Sequence, residues 1–221
     1  MSVQVSVYQS LLEWCSQRKV TLVAVSKTKP ASDIMELYEL GHRDFGENYV
    51  QELVQKQDEL PKDIRWHFIG HLQSNKVKYI APFVHIIHGI DSVKLLQEVN
   101  KQATKLGRVI DCLLQMHIAQ EETKFGLDID ELNNLLDQLH AFPSVRIRGL
   151  MGMASFTENQ DQVKQEFTQL KKYFDHAKAK LASTEFDTLS MGMSGDYSLA
   201  VEQGSTLVRI GSLLFGARQY Q

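Results

Sequence analysis

The 221-residue sequence is poor in the features that mark secreted, membrane-spanning or nucleic-acid-binding chains. It has two cysteines, Cys15 and Cys112, far apart and outside any Cys-x-x-Cys pair. A disulfide framework is therefore not indicated, and a reducing compartment with both thiols free is the expectation. No apolar run approaches the ~18 residues needed to span a bilayer. The start, Met1-Ser-Val-Gln-Val-Ser-Val-Tyr-Gln-Ser10, lacks a basic region followed by an apolar stretch, so no signal peptide is expected. Neither sign of charge dominates, with 24 Lys and Arg against 27 Asp and Glu and a net charge of −3. No Lys/Arg run marks a nucleic-acid surface. The four prolines and 13 glycines cluster into no linker, so one domain over 1–221 suffices. These absences leave a cytoplasmic protein with no membrane or nucleic-acid partner.

What is present is alternation. Hydrophobic residues make up 43 % and charged residues 23 %, as in an ordinary globular chain. After an opening helix over 3–17, the pattern predicts strands at 21–27, 43–47, 65–70, 83–89, 109–117, 145–152, 187–192 and 207–210. Helical patterns fall at 31–40, 48–58, 74–80, 92–106, 128–140, 159–182 and 195–203. Val163, Phe167, Leu170, Phe174, Ala177 and Leu181 recur at steps of three and four, one face of a long helix. Val109-Ile-Asp-Cys-Leu-Leu-Gln-Met116 is a nearly continuous apolar run, the mark of a strand covered on both faces. Eight strand–helix units in 221 residues fit a compact (β/α)8 barrel. The rival doubly wound sheet favours a Gly-x-Gly-x-x-Gly turn after its first strand. Here that strand runs into Ser26-Lys27-Thr28-Lys29-Pro30, with no glycine.

Lys27 is the most informative residue. Lysine is costly to desolvate, so one at the end of a buried strand usually has a tight partner or a chemical task. A lysine of lowered pKa forms a Schiff base with an aldehyde. Chemistry in such a barrel gathers at the C-terminal strand ends, often with a phosphate site after strands seven and eight. Strand seven ends Leu189-Ser190-Met191-Gly192-Met193-Ser194-Gly195, small residues with backbone N–H groups at a helix start. Strand eight carries Arg209 and ends Ile210-Gly211-Ser212. It neighbours strand one when the barrel closes. A lysine, an arginine and two Gly/Ser loops thus surround one mouth.

Five motifs carry a family resemblance: Ala24-Val-Ser-Lys27-Thr-Lys-Pro30, Phe45-Gly-Glu-Asn48-Tyr-Val-Gln-Glu52, Trp66-His-Phe-Ile-Gly-His-Leu-Gln-Ser-Asn-Lys76, Ser190-Met-Gly-Met-Ser194 and Val208-Arg-Ile-Gly211. In this order and over nearly the whole length, the chain resembles the YggS/PROSC family of pyridoxal phosphate homeostasis proteins. The resemblance implies a fold like the N-terminal domain of alanine racemase, with pyridoxal 5′-phosphate (PLP) as cofactor. Lys27 would form the Schiff base and Arg209 would face the pyridine nitrogen. Ser190 or Ser194, with Gly211 and Ser212, would hold the phosphate, and Asn48 would line the ring. His67, near the mouth, and Met191 complete the expected cofactor-binding set. Where the family usually has Thr after Arg-Ile-Gly, this chain has Ser212, which keeps the hydroxyl.

Competing readings stay open at several residues. Lys29 shares the strand parity of Lys27 but stands further into the loop, where solvent or an anion at the rim would receive it. His67 and His71 are four apart but straddle a strand end and Gly70, so no metal site is expected. Met151, Met153, Met191 and Met193 are most simply barrel-interior filler. Lys124 lies after strand five and reaches either the mouth or solvent.

The resemblance leaves two functions, a carrier that holds and hands PLP to apo-enzymes without turnover, and a slow amino-acid racemase. An arginine against the pyridine nitrogen weakens the ring as an electron sink. Racemisation also needs a second base opposite Lys27. In the alanine racemases it comes from a second domain, for which the sequence leaves no room after strand eight. Nothing in the spacing of Tyr49, Tyr197 or His67 marks a substitute. A monomeric, non-catalytic carrier is expected.

Overall fold

The protein, seen here as a computed structural model, is described over residues 3–119 and 125–216. Eight parallel strands close into a barrel in chain order: β1 Thr21–Val25, β2 Asp44–Glu47, β3 Arg65–Phe68, β4 Ile86–Ile90, β5 Ile110–Gln115, β6 Val145–Met151, β7 Thr188–Ser190 and β8 Leu207–Ile210. The closing seam pairs β1 with β8, Val23 opposite Arg209. Around the barrel run α1 Val5–Gln17, α2 Ala31–Glu39, α3 Val50–Glu59, α4 Val77–Ile80, α5 Val93–Lys105, α6 Ile129–Asp137, α7 Gln160–Leu181, α8 Tyr197–Glu202 and α9 Ser212–Phe215. This is the (β/α)8 architecture that the alternation predicts.

The differences are at the ends of elements. Apolar runs overshoot the paired strands because buried residues continue into the loops. Strand one, expected to reach residue 27, stops pairing as a strand at Val25, so Lys27 stands in the turn beyond it. The helix expected over 74–80 opens as a 3-10 turn, Ser74–Lys76, before α4. The one expected over 128–140 breaks at Gln138 into α6 and a second 3-10 turn, Leu139–Ala141. The start of α6 is fixed by a capping box, Asp128 accepting from the Glu131 amide and Glu131 from the Asp128 amide.

The main core lies between the outer strand faces and the helices. From α7 it takes Val163, Phe167, Leu170, Phe174 and Ala177, most of the predicted stripe, while Leu181 is only partly buried. Truncating a fully buried ring such as Phe167 to alanine removes about 3–5 kcal/mol. A smaller cluster, Ile86, Leu113 and Met151, is separate from it. Ile86 shares a strand face with buried His88, and side chains on that face fill the barrel itself. Ion pairs line the N-terminal rim, Asp44 with Arg65 and Asp111 with Arg146 and Arg148. The opposite rim is left for chemistry. Among the described residues no helix is long and apolar enough to cross a membrane.

Candidate functional site at the barrel mouth

A cavity of about 430 Å³ opens at the C-terminal strand ends, lined by Lys27, Asn48, Ser194, Arg209, Gly211 and Ser212 among others. Six of the residues expected from the sequence therefore meet in one place.

The turn that carries Lys27 is built from below. Ser26 is fully buried, and its amide donates to the Gly46 carbonyl at 3.0 Å. Its hydroxyl donates to Glu47 Oε1 at 2.7 Å. Lys56 of α3, only 5 % exposed, donates to the Ser26 carbonyl at 2.8 Å, Glu47 Oε1 at 2.7 Å and Glu52 Oε1 at 2.6 Å. Glu52 Oε1 also accepts the Thr28 amide at 2.6 Å. The residues on either side of Lys27 are thus tied to one buried ion cluster, and a cluster broken on one side leaves a charge uncompensated. Burial pushes the Glu47 carboxyl up to about 6, against the pull of Lys56. Lys29 also lines the mouth and donates to the Phe215 carbonyl at 2.7 Å, a protein acceptor where solvent or an anion was expected.

The loops after β7 and β8 meet across the opposite side. The Met193 amide donates to Asp196 Oδ1 at 2.6 Å, and the Gly211 amide to Ser194 Oγ at 3.3 Å. Gly192 makes the turn possible, since its φ is +95° and a Cβ there would stand 2.6 Å from the Ala200 Cβ. Among the described residues, the Ser194, Gly195 and Ser212 amides have no protein acceptor. Three such N–H groups with two hydroxyls beside them are what an anion requires.

Asn48 reaches the mouth because Gly70 lets its backbone pass, a Cβ on Gly70 falling 2.4 Å from the Asn48 carbonyl oxygen. The Asn48 side-chain oxygen is buried without a hydrogen-bond partner. An orphaned acceptor on a residue that lines a cavity is a place for a ligand donor.

Arg209 is 4 % exposed and fixed by the barrel wall. Nη1 donates to the Ser190 carbonyl at 2.9 Å and Ser190 Oγ at 2.6 Å, and Nη2 to the Gly152 carbonyl at 3.1 Å. Burial pulls its pKa down to about 10, opposed by the charge of Asp196, so it remains a cation at neutral pH.

Three of the expected cofactor contacts stand elsewhere. Ser190 is fully buried, its hydroxyl shared between Arg209 and His88, so Ser194 is the serine on the cavity. Met191 is fully buried in the main core, since alternation along the chain turns it away from Ser190's face. His67 is not at the mouth. It lies in the interior, bonded to His88 and to Asp44 of the opposite rim. Of the methionines taken as filler, Met151 and Met191 are buried, whereas Met153 and Met193 line the mouth. His67 and His71 are held apart, His71 stacking on Phe125 at 4.2 Å and bonding Asp91. A different trio, Asp44, His67 and His85, brings ligand atoms within 4.8 Å of one another. Both Asp44 oxygens there are already engaged by the Arg65 guanidinium. Lys124 lies outside the described residues.

The Glu47–Glu52–Lys56 cluster escaped the reading of the sequence. A signal for it exists, because Lys56 continues the buried stripe Val50, Leu53 of α3 at a step of three.

The sequence matches the family described as alanine racemase, N-terminal domain, over residues 8–219. It is 41 % identical over 206 residues to the pyridoxal phosphate homeostasis protein of Pasteurella multocida, covering 91 % of this chain and 88 % of that one. With the protein of that name from Escherichia coli K12 it shares 40 % over 209 residues, or 93 % and 88 % of the two chains. The solved structure of PipY from Synechococcus elongatus without PLP superposes with a TM-score of 0.89 at 37 % identity, covering 95 % of this chain and all (100 %) of that one. PipY with PLP bound gives 0.86 over the same shares at 37 %. An alanine racemase from Bartonella henselae shares the fold alone, at 17 % identity and a TM-score of 0.71 over 99 % of this chain and 62 % of that one. The chain belongs to the alanine racemase N-terminal-domain family and, within it, to the pyridoxal phosphate homeostasis proteins.

Proposed function

We propose that the mouth binds pyridoxal 5′-phosphate and that the protein buffers or delivers it inside the cell without chemical turnover. One observation carries this reading: an amine, a buried guanidinium and a set of unpartnered backbone amides surround a single cavity. The orphaned Asn48 oxygen, on a residue that lines the mouth, fits a ligand that brings a donor. When bound, the cofactor supplies an aldehyde that condenses with a lysine amine. Lys27 is the residue for that link, held by its two pinned neighbours. Arg209 faces the ring nitrogen, Asn48 lines the ring, and Ser194, Gly211 and Ser212 with their neighbouring amides take the phosphate. PipY, a relative, has been solved with PLP bound, and the curated relatives carry the homeostasis name.

The absence of turnover is supported by the lining. Among the described lining residues there is no histidine or tyrosine to act opposite Lys27. Tyr197 packs edge-on against Trp14 at 5.2 Å instead, and His67 is bonded in the interior. Both cysteines are buried with their thiol pKa values raised by burial, Cys15 to about 11, which suits a reducing cytoplasm. The acceptors are PLP-dependent apo-enzymes and the working form is a monomer.

Loaded protein mixed with an apo-enzyme should restore that enzyme's activity, while amino acids incubated with it in D2O should gain no α-deuterium. Exchange at the α-carbon would establish a racemase, and a failure to take up PLP would overturn both readings.

A further inference from the structure

A continuous hydrogen-bonded chain runs through the barrel from its N-terminal rim to the mouth. Asp44 Oδ1 of β2 is 3.0 Å from His67 Nε2 of β3. His67 Nδ1 is 2.9 Å from His88 Nε2 of β4. His88 Nδ1 is 3.0 Å from Ser190 Oγ of β7, across the barrel. Ser190 Oγ is 2.6 Å from Arg209 Nη1 of β8. His67, His88, Ser190 and Arg209 are each no more than 5 % exposed, so water has little part in the chain.

The two ends dictate where every proton sits. Hydrogen bonds from His67 and Arg65 overcome burial and hold the Asp44 carboxyl well below the usual range, so Asp44 only accepts. His67 Nε2 therefore carries a proton, and in the neutral ring Nδ1 accepts. His88 Nε2 must then be the donor to it. Burial keeps His88 neutral, so its Nδ1 accepts in turn and the Ser190 hydroxyl donates to it. Ser190 Oγ is left to accept from Arg209, which can only donate. Starting from Arg209 gives the same assignment. The reverse assignment would place the His88 proton on Nδ1 and leave the Ser190 proton without an acceptor, which is costly at a buried hydroxyl.

We infer that Asp44 is a positioning residue for Arg209: through His67, His88 and Ser190 it turns a lone pair toward the guanidinium and fixes the face that Arg209 offers at the mouth. A chain of bonds all pointing one way, with a cation at one end and an anion at the other, strengthens each link. Three of the five guanidinium N–H groups are spent on Ser190 and Gly152, so the remainder keeps one orientation toward the cavity. The inference rests on the proposed PLP site for its consequence but not for its existence, because the proton positions are properties of the protein alone.

Nitrogen NMR of the full, ligand-free chain with labelled histidine reads the tautomers directly. The expected result is a proton on Nε2 and none on Nδ1 for both His67 and His88. A His88 proton on Nδ1 in the unaltered protein would overturn the inference, and this measurement needs no variant to fold. Asp44→Ala leaves the Arg209 end in place, so the tautomers should hold while the His67 Nε2 proton loses its acceptor, and Asp44→Asn, whose side-chain oxygen still accepts, should restore that bond. PLP titration adds a second readout, with affinity about tenfold weaker for Asp44→Ala and recovered within about twofold by Asp44→Asn. In a Ser190→Ala background, with the last link cut, Asp44→Ala should have no further effect. Additive losses would contradict the coupling. No PLP uptake by any form would sink the proposed function while the tautomers still decided the chain.

Discussion

Glu52 Oε1 accepts the Thr28 amide at 2.6 Å, at a threonine whose φ is +64°. A left-handed conformation costs a residue with a Cβ roughly 1–2 kcal/mol. A carboxylate from α3 therefore offsets strain in the turn that follows Lys27. Glu52→Ala should lower stability by about 1–3 kcal/mol in chemical unfolding and should weaken PLP binding with it. Equal PLP affinity in the variant would mean that Lys27 needs no such support.

The shape of this site was only partly visible in the sequence. Lys27, Arg209, Gly211 and Ser212 were legible because each lies at or just beyond the end of an apolar run, and a barrel brings those ends together. Ser194 was legible for the same reason. Ser190 and His67 were misplaced because the sequence shows that a strand ends but not how deep inside the barrel a given side chain lies. Met191 was misplaced by the alternation of faces along a chain that has already left its strand. The tie between the Lys27 turn and the ion cluster was hidden because its bonds from Ser26 to Glu47 and Lys56 span 21 and 30 residues and form only when β1, β2 and α3 pack.

The Glu47 carboxyl gives a signed pH dependence. Its folded pKa of about 6 lies above the ordinary 4.5, so the folded chain holds its proton more tightly than the unfolded one. That contribution to stability is complete below about pH 4.5 and is lost as pH rises through 6. Relative to Glu47→Gln, the unaltered protein should lose about 2 kcal/mol of unfolding free energy between pH 4 and pH 7. Urea denaturation of both proteins across that range checks it, and a constant difference would contradict the assignment.

Gly70 admits no side chain without moving Asn48, because its Cβ would fall 2.4 Å from a backbone oxygen. Gly70→Ala should cost about 1–3 kcal/mol and displace Asn48 from the mouth. Thermal unfolding should show the loss, and PLP affinity should fall in the same variant. An alanine tolerated without either effect would show that the β2 and β3 loops can separate freely.

Arg209→Ala removes the buried cation but leaves Lys27 in place. PLP affinity should fall about 10–100-fold, the usual weight of a hydrogen bond to a charged group, while the covalent link persists. Loss of the link as well would mean that Arg209 holds the mouth together rather than the ring.

The most direct test is borohydride reduction of the PLP-loaded protein followed by peptide mass mapping. A yellow absorbance band that reduction bleaches, with one pyridoxyl group on Lys27 and none in Lys27→Ala, is the expected result. A pyridoxyl group on Lys29 with Lys27 unmodified would contradict the role given to Lys27, and no adduct on any lysine would contradict a covalent link at this mouth.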